Sequence, residues 1–178
     1  AAGNYAPVAI TGMKFEGSVT ITSQDPTALA MLNGLTVKDS QGLNFRNLEF
    51  FVNAAKPDYT YLVYGSNKIS FDGLKVHGSL DGNAGNDAAA MLIRLSKDVS
   101  VTNSEFQQLR HGIAHLDSEG VTISNNAFHD IRTDGVRGGG SSQVTISNNY
   151  FTNFRAADGD HPDAIQFWTT NTTKSAFA

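Results

Sequence analysis

The sequence predicts an all-β fold, a single-stranded parallel β-helix (β-solenoid) of about six coils that forms one domain over residues 1–178. Three observations predict this fold. A short phrase recurs along the chain, apolar and polar residues alternate within each copy, and the polar residues are mostly Asn, Ser, Thr and Gly. Alternation with a period of two is typical of strands, and these polar residues favour turns over helix.

The repeat is clearest in three copies: VSVTNSEFQQLR from Val99, VTISNNAFHDIR from Val121 and VTISNNYFTNFR from Val144. Their first residues are 22 and then 23 positions apart. Weaker copies lie upstream at spacings of 24, 26 and 30 residues, and they begin at Val19, Leu43 and Ile69. A period that persists through insertions of variable length is typical of a solenoid, whose extra residues form loops.

Each coil is predicted to contain the strand of the copy and a second short strand before it. The clearest preceding strands cover residues 90–95, 111–116, 134–139 and 163–168. Alignment of the copies predicts one column of stacked interior side chains at Phe50, Val76, Phe106, Phe128 and Phe151. A second interior column contains Leu109, Ile131 and Phe154, and each of these is followed by an arginine at Arg110, Arg132 and Arg155.

An asparagine column is predicted at the turn inside each copy. Its members are Asn47, Asn103, Asn125 and Asn148, with Gly73 in the remaining copy. Asn tolerates the left-handed turn conformation, and stacked Asn side chains can hydrogen-bond between strands about 4.8 Å apart. We therefore expect this column to be structural rather than catalytic.

The phrase V-T-I-x-N-N-x-F at 121–128 and 144–151 resembles the coils of the pectin-lyase-like superfamily of right-handed parallel β-helix proteins. The resemblance covers nearly the whole chain and implies a right-handed coil whose flat outward face binds polysaccharides. The superfamily includes polysaccharide lyases, galacturonan hydrolases, alginate C5-epimerases and phage tailspikes. The epimerases' Asp-Pro-His-Glu motif is absent, although residues 160–163 contain similar components in another order.

The ends of the chain depart from this family pattern. The N-terminus lacks the amphipathic capping helix of many members, and residues 171–178 stand where another copy should begin. Uncapped coil ends expose strand edges and apolar residues. We therefore expect either a fragment of a longer β-helix or a homo-oligomer formed through the coil ends.

Composition excludes several classes of function. The formal net charge of −4 argues against a nucleic-acid partner, which requires a strong basic surplus. There is no run of about 18 apolar residues that would predict a membrane span. The absence of Cys excludes disulfides and thiolate metal sites. A secreted, extracellular or periplasmic location is expected.

A substrate-binding stripe is predicted on the outward face of the preceding strands. Alignment places Lys38, Tyr64, Arg94, Ala114, Arg137 and Gln166 in one line. Arginine matches a carboxylate with two hydrogen bonds, and an aromatic ring offers a face to a sugar. His115 and Trp168 complete the predicted substrate-binding set. The alternative is a solvated strand face whose polar residues are unrelated.

Catalytic groups are predicted beside the loop at residues 156–163. His111, Asp134 and Asp163 share one column just before the strand, and His161 lies two residues from Asp163. Arg137 could neutralise a uronate carboxylate while His161 removes the C5 proton, with Asp163 or Asp134 orienting it. His111, His115 and Tyr64 are alternatives for the acid and base roles, and a pair of carboxylates from this loop would instead suit hydrolysis.

The same loop has two other interpretations. Asp158, Asp160 and Asp163 could supply oxygen ligands to calcium, the possible cofactor. A plain polar turn would contain the same residue types. The leading hypothesis is an enzyme, a lyase or epimerase, that acts on an acidic polysaccharide. The alternative is a non-catalytic β-helix such as a tailspike or adhesin shaft.

Overall fold

The computed structural model describes residues 1–53 and 59–169, and within them it shows an all-β solenoid of about six turns, as predicted. The strands form three parallel sheets, here named A, B and C. Each turn of the chain adds one strand to sheet A, then one to sheet B, then one to sheet C. Every strand therefore pairs with the strands one turn before and one turn after it.

The strand bounds follow this order. Sheet A contains Gly3–Tyr5, Ala30–Leu32, Glu49–Phe51, Lys75–His77, Glu105–Gln107, Ala127–His129 and Tyr150–Thr152. Sheet B contains Val8–Thr11, Leu35–Lys38, Tyr61–Tyr64, Ala89–Arg94, His111–Leu116, Val136–Gly139 and Ile165–Trp168. Sheet C contains Lys14–Thr22, Gln41–Arg46, Asn67–Asp72, Lys97–Thr102, Glu119–Ser124 and Thr145–Ser147.

Helix is almost absent from the described residues. A single 3-10 turn, Ala84–Asn86, lies in the loop between sheets A and B. Nothing helical in the described ranges has the length and apolar character needed to cross a membrane.

The interior is a stack of identical or similar side chains, as the aligned copies predict. Phe106, Phe128 and Phe151 pair in register on sheet A, with ring centroids 4.8 and 4.9 Å apart along the column. Phe106 and Phe128 are fully buried, as are Leu109 and Ile131 in the second predicted column. Stacked rings of this kind add about 1 kcal/mol per pair to the free energy of area burial.

Left-handed residues bend the chain between sheets. The predicted asparagine column has φ between 47° and 57°, and Gly73 replaces Asn in the same turn with φ 66°. The hydrogen-bonded asparagine stack lies one residue later than predicted. There Asn126 donates through Nδ2 to Oδ1 of Asn149 over 3.0 Å, because the side chain following the left-handed residue points into the coil.

A serine ladder closes the turn between sheets B and C. Its four members each donate a hydroxyl to the carbonyl two residues earlier and accept the backbone N–H of the preceding coil; they are Ser40, Ser66, Ser96 and Ser118. Because each of these four buried hydroxyls both donates and accepts a hydrogen bond, the serines can stack from coil to coil without leaving a hydroxyl unpaired.

Candidate functional site

The outward face of sheet B carries two parallel columns of side chains, two residues apart along each strand. The first column contains Thr11, Lys38, Tyr64, Arg94, Leu116, Gly139 and Trp168. The second contains Ala9, Thr36, Leu62, Leu92, Ala114, Arg137 and Gln166. The predicted single stripe is wrong, because Arg94 pairs with Leu116 rather than Ala114. The stripe therefore divides into two adjacent lines on one face.

Arg137 is the most constrained cation on this face. Its Nη1 lies 3.1 Å from Oδ2 of Asp134 and 2.9 Å from Nε2 of His111. Its Cζ lies 5.0 Å from the ring centroid of Trp168, a cation–π distance. These contacts fix the guanidinium while its side chain stays about one quarter exposed. A ligand anion can therefore reach the Arg137 guanidinium, whose side chain is already held in one position.

His111 is neutral in this arrangement. The Thr133 hydroxyl donates to the carbonyl of Arg110 over 2.6 Å, so it accepts from Nδ1–H of His111 over 2.5 Å. Nε2 then keeps the lone pair that accepts from Arg137. Burial, followed by the charge of Arg137, lowers the pKa of His111 to about 3. This tautomer is assigned from the hydrogen bonds.

Asp134 is buried beneath Arg137, with its side chain only 3% exposed. Burial raises the pKa of Asp134, although Arg137 opposes the shift. Its Oδ1 has no hydrogen-bond partner within the described residues. Such an oxygen is costly to leave unpaired, so it favours a hydrogen-bond donor at this point.

His161 and Asp163 form a second, more exposed pair at the same edge. Nδ1 of His161 lies 3.2 Å from Oδ2 of Asp163, which also accepts from Nε2 of Gln166 over 3.3 Å. The imidazole is 87% exposed. Gln166 pairs with Arg137 on the neighbouring strand, so this dyad stands one strand from the Arg137 cluster.

The loop that carries His161 is fastened by Arg132. The Arg132 guanidinium binds both oxygens of Asp160, at 2.6 Å from Nε and 3.2 Å from Nη2. Its Nη1 also donates to the carbonyl of Ala84 over 3.3 Å, so it joins this loop to the 3-10 turn. The oxygen Oδ2 of Asp160 accepts the backbone N–H of Ala157 as well.

His115 lies inside the coil, and its prediction as a substrate-binding residue is wrong. It pairs with Ile93 and Gly138 in the inward-facing column of sheet B and is 2% exposed. Its Nδ1 contacts the Ser141 hydroxyl at 3.0 Å. Strand alternation explains the placement, because His115 is two residues from the interior Ile113.

Three of the remaining predicted binding residues lie on the outward face but away from Arg137. Lys38, Tyr64 and Arg94 follow one another on three successive strands. The Lys38 ammonium lies 5.9 Å from the Tyr64 ring centroid. Trp168 stands at the other end of their column, beside Arg137. One end of the face therefore carries Lys38, Tyr64 and Arg94, and the other end carries the titratable groups around Arg137.

The calcium prediction gains no geometric support. Asp160 is occupied by Arg132, and Asp163 is shared by His161 and Gln166. Across residues 1–53 and 59–169, no three acidic, His or Cys side chains are grouped to hold a metal ion. Calcium binding by Asp158, Asp160 and Asp163 stays a prediction.

Sequence reasoning missed Tyr59 and undervalued His111. The Tyr59 and His111 rings are stacked at 6.4 Å, and burial raises the pKa of the Tyr59 hydroxyl. Tyr59 precedes its strand by two residues, as Asp134 precedes the strand that begins at Val136. This shared position, two residues before the strand, is the feature of the sequence that could have indicated Tyr59. Thr133, which sets the tautomer of His111, had no sequence signal.

Comparisons with known proteins identify the fold. The model of a family described as "Right handed beta helix region" matches residues 33–157. No curated protein matches the chain. A solved structure of a "putative glycosyl hydrolase" from Parabacteroides merdae ATCC 43184 is 14% identical, with a TM-score of 0.40, over 78% of this chain and 82% of that one. The fluoroquinolone resistance protein QnrB1 is 10% identical, with a TM-score of 0.16, over 85% and 93%.

Proposed function

Because the chain belongs to the right-handed β-helix family, we propose that the outward face of sheet B binds an acidic polysaccharide and that groups around Arg137 cleave or epimerise its uronates. The observation that carries this proposal is the held guanidinium of Arg137. It is fixed by Asp134, His111 and Trp168, yet about one quarter of its side chain stays exposed on the outward face of sheet B. A fixed cation of this kind pairs with a sugar carboxylate better than a mobile surface lysine does.

The reaction proposed for this site begins at C5 of a uronate. Arg137 binds the carboxylate and stabilises the negative charge that develops when the C5 proton leaves. His161 takes that proton through Nε2, while Asp163 accepts Nδ1–H and orients the ring. His111 is a poorer base, because its Nε2 lone pair already accepts from Arg137.

Two outcomes follow from the same carbanion. In elimination, the electron pair forms the C4–C5 double bond, the C4–O bond breaks, and the leaving oxygen takes a proton. In epimerisation, a proton returns to C5 from the opposite face. Tyr59 is the candidate acid for either step. Its phenol is protonated at neutral pH, as that of an ordinary tyrosine is, and burial raises its pKa further.

The test is a panel of acidic polysaccharides assayed for binding and for turnover. We expect binding to at least one uronate polymer, followed by the ultraviolet absorbance of an unsaturated uronate or by C5 inversion in the NMR spectrum. His161→Gln should bind as the wild type does but react at least about a hundredfold more slowly, since it removes the general base. Asp163→Asn should also bind normally and react more slowly, since it removes the carboxylate that orients His161.

Arg137→Gln should lose both binding and turnover, whereas Lys75→Gln is the matched control. Lys75 is an exposed cation on sheet A, so its loss changes net charge equally without touching sheet B. Binding without turnover by the wild-type protein would refute the reaction and leave a binding segment. Equal binding by Arg137→Gln and Lys75→Gln would refute the site.

A further inference from the structure

We propose that the polymer bound by sheet B carries an acidic group on every second sugar, as in a copolymer of alternating uronate and neutral residues. This inference rests on the proposed function, since it assumes that sheet B binds an acidic polysaccharide. It specifies the class of polymer, which the presence of Arg137 alone does not.

Cations occur on alternate strands of sheet B. Lys38, Arg94 and Arg137 lie on the second, fourth and sixth of its seven strands. The other four strands contain no Lys, Arg, Asp or Glu; they read VAIT, YLVY, HGIAHL and IQFW. The alternation therefore holds along the whole described sheet.

The strands between the cations offer apolar and aromatic contacts instead. The third strand presents Tyr64, the fifth presents Leu116, and the seventh presents Trp168 beside Gln166. A sugar ring stacks on such surfaces through its C–H face, and a neutral sugar does so without burying a charge. Each cation thus alternates with a surface suited to an uncharged sugar.

The spacing fits the repeat of such a polymer. Adjacent strands are about 4.8 Å apart, so cations on alternate strands are roughly 10 Å apart along the axis. An extended sugar chain advances by about one strand spacing per residue. A carboxylate on every second sugar therefore meets a cation each time, whereas a homopolyuronate leaves half of its carboxylates over apolar strands.

The sideways step between Arg94 and Arg137 is bridged by Trp168. Arg137 belongs to the second column, two residues, or roughly 7 Å, from the column of Lys38 and Arg94. Trp168 belongs to that first column, and its ring centroid lies 5.0 Å from Cζ of Arg137. The Arg137 cation is therefore in contact with the first column on one side, while Asp134 and His111 hold its Nη1 on the other.

An acid beside Lys38 does not cancel the pattern. The Asp39 carboxylate lies against Gly65 in the next coil. Its Oδ1 is so close that a Cβ added to Gly65 would lie 2.6 Å from it. Within the described residues, Arg94 has no ion pair or side-chain hydrogen bond, and it is exposed. It therefore remains available to a ligand.

The test compares hyaluronan and unsulfated chondroitin with polygalacturonate and polymannuronate in one binding assay, at equal uronate concentration and ionic strength. We expect an alternating polymer to bind at least about tenfold more tightly, the effect of one lost charge contact. Leu116→Arg adds a cation on the fifth strand, so it should raise affinity for the homopolymers and reduce that preference. Thr122→Arg, at the outward face of sheet C in the same coil, is the matched control.

Equal or tighter binding of a homopolyuronate by the wild type would overturn the alternation while leaving the proposed function intact. Failure of every acidic polymer to bind would instead overturn the proposed function, and this inference with it. Leu116→Arg and Thr122→Arg with the same affinities would also contradict the alternation.

Discussion

At the scale of single residues, His115 occupies an interior position where the preceding coil carries Ile93. Gly138 follows on the next strand because a Cβ there would lie 2.3 Å from Cε1 of the imidazole. The His115 Nε2 atom has no partner within the described residues. Burial accordingly lowers the pKa of His115 to about 4.

His115 should make the fold sensitive to acid. Its pKa is near 6.5 when unfolded and about 4 when folded, so the unfolded state binds more protons between those values. Stability is therefore full above about pH 6.5 and falls as the pH drops towards 4, by up to about 3 kcal/mol. Urea unfolding at about pH 7 and about pH 4.5 measures this loss.

His115→Leu should lose part of that acid sensitivity, and His161→Gln is its control. His111 contributes in the same direction because burial also lowers its pKa, so some sensitivity should remain. The His161 side chain is 87% exposed, so His161→Gln removes a histidine without removing a buried side chain. An unchanged dependence in His115→Leu would show that His115 is not buried as described.

At the scale of elements, the Arg132 guanidinium ties the loop 156–163 to the loop that contains the 3-10 turn. Arg132 binds both oxygens of Asp160 and the carbonyls of Ala84 and Gly85. Its side chain is only 19% exposed, so these bonds are partly shielded from water. The position of His161 therefore depends on an ion pair one residue away.

Arg132→Gln should release this loop. We expect faster hydrogen exchange across residues 156–163 and a drop of about tenfold in kcat with a smaller change in KM, because a displaced base loses proximity. Arg155→Gln is the matched control, since Arg155 pairs with Asp130 outside the loop. Equal exchange rates in the two variants would contradict the role of Arg132.

The sequence predicted elements well where a side chain must be repeated to stack. Phe106, Phe128 and Phe151 repeat because a flat ring packs best on another ring, so the aligned copies predict their register. The turn at Asn103 and Asn125 repeats because few residues adopt its left-handed conformation. Both constraints therefore place the same type of residue at the same position of successive coils.

Sheet B was harder to predict because its outward residues need not repeat. Arg94, Leu116 and Gly139 share one column yet have no common chemistry. The spacing of 22 residues between Val99 and Val121 also applies to the preceding strands, and it would have paired Arg94 with Leu116. The contacts of Arg137 with His111 and Trp168 depend on side-chain conformation, which spacing alone does not determine.

At the scale of the whole molecule, the solenoid separates stability from function. Phe, Asn and Ser columns stabilise each coil through its neighbours, while sheet B varies from strand to strand. Stability of this kind is a sum of similar contributions from adjacent coils. Substitution of the exposed Lys38 or Arg94 on the outward face of sheet B should therefore change binding with little effect on unfolding. The expected homo-oligomer and the secreted location stay predictions.

The most direct test of polysaccharide binding by sheet B is a crystal structure with a bound uronate oligosaccharide. We expect the sugar chain along the outward face of sheet B, across its strands, with one carboxylate on the guanidinium of Arg137 and a ring near Trp168. A sugar chain bound on sheet A or sheet C, with Arg137 free of ligand, would contradict the proposed site.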